Sequence, residues 1–305
     1  MKRILIILAL ASTGILIAAG YSGYAQKEVL VPFQGSVDHI HSIGYIEKEE
    51  GLYVAAHTGL KIHRNGEWLK TTKNTNDYTG FATVDQGFFV SGHPGENSEL
   101  QGPLGLQQGV NGSEKLKSLA FVGQADFHTL AAGYTSHELL LLNAEEKILQ
   151  GEGFYKSPDL GETWDKVGAK GLLGDVTGLA LHPVDSSYVA AASSAGVYLS
   201  EDGGENFSPL TGEGESGTAV FFSKEHLYFA GYNGGASLIR YDLHKEEGAP
   251  LELPLIERDA AVSIAVHPED EEQFAIYSLQ GHLFTTDDGT ETWEQILMSN
   301  KVHIK

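Results

Sequence analysis

Thirteen histidines stand in this 305-residue chain, and five of them, His39, His41, His57, His93 and His128, lie in the same half as Asp38 and Asp126. An imidazole transfers a proton near neutral pH, hydrogen-bonds a hydroxyl, or ligates a divalent transition metal. Three or four imidazoles with one or two carboxylates suit zinc with an open coordination position. The same groups suit a sugar, with the histidines orienting hydroxyls and Asp38 and Asp126 acting as acid and base. A glycosidase needs such carboxyls about 5 to 9.5 Å apart across the bond. Each chemistry requires residues far apart in the chain to meet at one point.

The elements that bring them together are strands. No long segment has helical periodicity, whereas short runs rich in Val, Ile, Tyr and Phe recur between clusters of Gly, Asp and Asn, which is all-β spacing. The runs group into six units of four strands, whose first strands start near His39, Thr79, Phe127, Val176, Thr218 and Ala261. A period of about 40 to 50 residues is that of propeller blades. The sequence therefore predicts a six-bladed β-propeller, in preference to seven blades, over residues 38–300. A tail, 301–305, follows it, and a segment, 26–37, precedes it and can add a closing strand to unit six.

In a four-stranded up-and-down blade the start of the first strand and the end of the second share a face. Asp38, His39 and His41 begin the first strand of unit one, and His57 ends its second. His93 ends the second strand of unit two, and Asp126 and His128 begin unit three. His39 and His41 are two apart, so on a strand they point to the same side. All seven residues are expected at one mouth of the central channel. The equivalent ends in units four to six carry Asp175, Val176, Ala191, Tyr232, Ala261 and Ser278, without histidine. The mouth over units one to three is therefore the candidate site, as a metal centre, an organic-ligand pocket, or a polar lining that solvates the channel. His182-Pro183 and His267-Pro268 end first strands at an equivalent turn and read as structural.

One eight-residue pattern fixes the register of these units. Ser157-Pro158-Asp159-Leu160-Gly161-Glu162-Thr163-Trp164 reads SxDxGxTW. Its Ser and Asp accept hydrogen bonds from turn amides, its Gly takes a positive φ, and its Trp supplies an apolar anchor. A second copy runs from Ser200 through Asp202 and Gly204 to Phe207, and a third from Thr286 through Asp288 to Trp293, with Thr290 in the glycine's place. The pattern resembles the Asp-box, or BNR repeat, of sialidase-like, xyloglucanase-like and sortilin-like propellers and of photosystem assembly factors of that shape. The resemblance implies a propeller across nearly all of the mature chain, with carbohydrate binding and glycosyl hydrolase-like activity at the mouth, or else a non-catalytic scaffold that grips a protein or peptide. Asp-box atoms are consumed by their own turn, on the face opposite the mouth, so the boxes are structural. Sialidases of this class resemble one another in holding the substrate carboxylate with three arginines. The mature chain has only Arg64, Arg240 and Arg258, none on a first strand, which argues against a true sialidase.

Met1-Lys2-Arg3 followed by an apolar run from Ile4 to Ala19 reads as a secretory signal over 1–25, with cleavage after Ala25. The same run is just long enough to remain as a membrane anchor, at roughly 18 to 20 residues. The protein is thus expected to be secreted or extracytoplasmic. Cysteine is absent, so the fold has no disulfide and no thiolate metal site. Net charge is −21, a field that repels nucleic acid and other polyanions.

Overall fold

In the second strand of the first unit every residue from Leu52 to Ala56 is buried. Side chains along a strand alternate between its two faces, so a run apolar at every position requires cover on both sides. Leu52, Val54 and Ala56 pack into one hydrophobic cluster, with Ala265, Ala275 and Leu283. Tyr53 and Ala55 pack into another, with Phe81, Phe88 and Val90. Each blade is in this way the shared wall of two cores.

The computed structural model describes residues 30–302, apart from 47–48, 97, 99, 111–114 and 255–257. The expected signal segment lies outside the described residues. The strands form six antiparallel sheets, in which the four blade strands follow sequence order and blade one carries an additional N-terminal strand at its outer edge. Their first strands are Ile40–Ile46, Asp77–Val84, Leu130–Ala132, Val176–Leu181, Ser216–Phe222 and Ala261–His267. Neighbouring first strands contact one another around the ring, and the sixth returns to the first. The protein is a six-bladed β-propeller, as the repeat period predicts, and among the described residues it contains no helix.

Ring closure differs from the expectation of an N-terminal strand on blade six. Leu30–Pro32 pairs instead with Glu67–Thr71, at the outer edge of blade one. The outer edge of blade six is covered by Lys301–Val302, which pairs with Glu294–Met298. Between those two blades the Val37 amide donates to the Asn300 carbonyl at 2.7 Å, and the Val302 amide to that of Gly35 at 2.9 Å.

The three repeated motifs close the same hairpin. Ser157 Oγ accepts from the Gly161 amide at 2.8 Å and donates to Asp159 Oδ1, which accepts the Thr163 amide. Ser200, Asp202 and Asn206 repeat these contacts, as do Thr286, Asp288 and Thr292. Thr290 takes a φ of 81° where Gly161 has 87° and Gly204 has 97°, so the third turn keeps its shape without glycine. Trp164, Phe207 and Trp293 each lie against the core shared with the preceding blade. The motif thus docks one blade on the next.

Two consequences are measurable. Ser200 is buried, so Ser200→Ala leaves the Gly204 amide without its acceptor and is expected to cost about 1 to 3 kcal/mol in denaturant unfolding. Hydrogen bonds from Asn206, first its side chain and then its backbone, hold the Asp202 carboxyl at about 2, below the ordinary 3.8. A lowered folded-state pKa stabilises above the ordinary value and is lost as pH falls through the folded one. Asp202→Asn is therefore expected to flatten the loss of melting temperature between about pH 4 and 2, and an unchanged acid slope would contradict this.

Candidate functional site

The first strands line the central channel, and near its mouth most of them slip register. The irregularities fall between Ile40 and Ser42, Asp77 and Gly80, Val176 and Gly178, Gly217 and Ala219, and Ala261 and Ser263. An extra residue in one strand bends it and re-aims a side chain. The residues so displaced include His41, Thr79, Thr177 and Val262, all of which line the channel, as does His128 in blade three. Along the channel apolar residues, Ile43, Phe81, Leu130, Leu179, Phe221 and Ile264, alternate with polar ones, Ser42, Thr83, Thr129 and Ser263, around about 160 Å³. The apolar members also serve the cores between blades, and the hydroxyls leave the channel a polar lining. The imidazoles of the lining stand at the mouth.

There the five predicted histidines meet as two groups rather than one. The first, His39, His41 and His57, belongs to blade one, and its ring centroids are 4.7 to 5.0 Å apart. Regular strand geometry does not produce this grouping. His39 precedes the strand with a φ of 35°, and His41 is the displaced residue of the register slip. Burial, followed by the neighbouring His39, pulls the His41 pKa down to about 4, against the opposing pull of Asp77. His41 is therefore a neutral imidazole at physiological pH.

The second group, His93, Asp126 and His128, spans blades two and three. Asp126 Oδ2 lies 2.9 Å from His93 Nε2 and 2.7 Å from His128 Nε2. The Asp126 side chain is only 9 % exposed, whereas those of His93 and His128 are 52 % and 67 % exposed. Yet Oδ2 is buried without a directed hydrogen bond, so the three atoms converge side by side and do not pair as donor and acceptor. The other oxygen, Oδ1, accepts from the hydroxyls of Thr79 and Ser91, and Ser91 Oγ in turn accepts the Phe127 amide. A buried carboxylate fixed through one oxygen, with the other facing two imidazoles, is a donor set fitted to a divalent transition metal.

Asp38 joins neither group. It is exposed, its carbonyl accepts the His57 amide, and its charge acts on Lys61. Lys61 is buried and donates to the Thr58 carbonyl and hydroxyl, and burial draws its pKa down to about 8. Asp77 belongs to the mouth although sequence reasoning passed over it. Its Oδ1 lies 3.4 Å from His41 Nε2 and 3.8 Å from His57 Nε2, and it too lacks a directed hydrogen bond. The signal was present, an acidic residue entering a first strand, but that strand was expected to begin at Thr79 and begins at Asp77. His182 is buried, bonded to the Lys224 carbonyl and the Asp185 amide, which is a structural role.

No family model matches the sequence, and no curated protein matches it. Solved structures do. An enzyme of Niastella koreensis described as GH74 superposes with a TM-score of 0.60 at 13 % identity, over 89 % of this chain and 47 % of its own. YCF48 bound to D1 peptide superposes at 0.52 and 15 % identity, over 88 % and 85 %. YCF48 from Cyanidioschyzon merolae gives 0.51 at 12 %, over 90 % and 89 %. The likeness is one of fold. This chain spans about half the length of the GH74 enzyme and nearly the whole of YCF48.

The mouth depends on close backbone approach. A Cβ on Gly80 would stand 2.1 Å from the Phe127 carbonyl oxygen, between Asp126 and His128. Gly80→Ala is therefore expected to push that segment away and lower the melting temperature by several degrees, the cost of overpacking being about 1 to 3 kcal/mol. A melting temperature equal to that of the wild type would show that the approach is not tight.

Proposed function

We propose that this protein is an extracytoplasmic binding propeller that holds a divalent transition metal, zinc in the simplest case, at the channel mouth between blades two and three. His93, Asp126 and His128 supply the protein's donors. The metal's open side takes an oxygen donor from an extracellular glycan or peptide. The observation that carries this reading is Asp126 Oδ2, buried and without a hydrogen bond beside two imidazole nitrogens. The acidity of the chain favours a cation and disfavours a polyanionic ligand.

Binding is preferred to hydrolysis because the two carboxyls expected to act as acid and base are not gathered at one point. A glycosidase needs two such groups flanking one bond. Asp126 is held between two imidazoles across blades two and three, whereas Asp38 is exposed and joins neither histidine group. The match in length to YCF48, which is described as bound to a peptide, supports a binding scaffold, whereas the GH74 enzyme has about twice this chain's extent.

Chelated protein titrated with zinc is expected to gain thermal stability, by about 2.7 kcal/mol at a hundredfold excess over the dissociation constant. His93→Ala and Asp126→Ala should each weaken that binding at least about tenfold, the least effect of losing even a supporting partner. Zinc-independent melting of wild-type protein would end the metal reading. Release of reducing ends from a glycan panel, abolished by Asp126→Asn, would replace binding with hydrolysis.

A further inference from the structure

The other histidine group shares no donor with this site and has its own geometry. His39, His41 and His57 each offer a ring nitrogen, and these nitrogens all lie within 4.8 Å of one another. We propose that the three form a second metal centre, made of imidazoles alone and loaded independently of the site at Asp126.

Three features support it. The first is the distorted backbone: a left-handed φ at His39 and a register slip at His41, two residues on. Such conformations cost free energy and cluster at functional sites, and here both bring imidazoles toward one point. The second is His41 Nε2, buried and without a hydrogen bond although 3.4 Å from Asp77 Oδ1. The third is the placement of Asp77, whose carboxylate stands close enough to two of the three rings to offset the charge of an ion held between them. Three imidazoles with a fourth position open are the donor set of a catalytic-type zinc site, and they suit copper and nickel as well.

The two groups are adjacent without being one. Blade two's first strand serves both: Asp77 faces His41 and His57, while Thr79, two residues on, hydrogen-bonds Asp126. Two ions would thus sit at one mouth, each with its own donors.

The test is the stoichiometry of zinc on the full chain, by calorimetric titration with elemental analysis after gel filtration. Wild-type protein is expected to bind two ions, and His57→Ala and His93→Ala one each. His57 lies in the turn just after the strand Glu49–Ala56 and its side chain is 45 % exposed, so its truncation leaves the cores intact. His39→Ala, at an exposed position, is the second variant should His57→Ala misfold by circular dichroism. One ion in wild-type protein, retained in His57→Ala and His39→Ala and lost in His93→Ala, overturns this inference and leaves the reading of the first site standing. One ion lost only in the His57 and His39 variants supports this inference and overturns that reading. No bound ion overturns both.

Discussion

Both faces of every blade have to be covered, because the middle strands are apolar at consecutive positions. Val189 and Ala191 face one core and Ala190 the next, just as Leu52 and Tyr53 do in blade one. A single blade of this kind exposes one apolar face whichever neighbour it lacks. Only a closed ring leaves none uncovered, which is why six separate cores, each between two blades, replace a single central one. At ~25 cal/mol per Å² of apolar surface, this burial is the dominant favourable term in a chain without a disulfide.

That constraint decides where chemistry can be. Strand interiors are committed to the cores, and the motif hairpins of the far face are committed to blade docking through Trp164, Phe207 and Trp293. What remains are the ends of the first and second strands at the opposite mouth, where carboxylates and imidazoles stand above a narrow channel lined by both hydroxyls and apolar side chains.

Much of this was legible in the chain. The period of the strand runs, anchored by the motif at Ser157–Trp164, specified six blades and their direction, and direction alone brought His39, His57, His93 and His128 to one mouth. Two things were not legible. Alternation along an ideal strand cannot foresee the left-handed residue at His39 or the slip at His41, so the division into two groups stayed hidden. The register of blade two was misjudged by two residues, which hid Asp77 behind Thr79. Asp38 and Asp126 read alike in sequence, both acidic at the entrance to a strand. Burial separates them, since Asp126 lies under the hydroxyls of Thr79 and Ser91 while Asp38 faces solvent.

The register slips at the mouth repeat from blade to blade, though their side chains do not. One blade places His41 there, and others place Thr177, Thr218 or Val262. Each slip is a seat whose backbone is specified by the blade and whose occupant differs in size and polarity from blade to blade. Descendants of such a ring can change the number of imidazoles at the mouth one seat at a time, so ligand choice can drift while the architecture stays fixed.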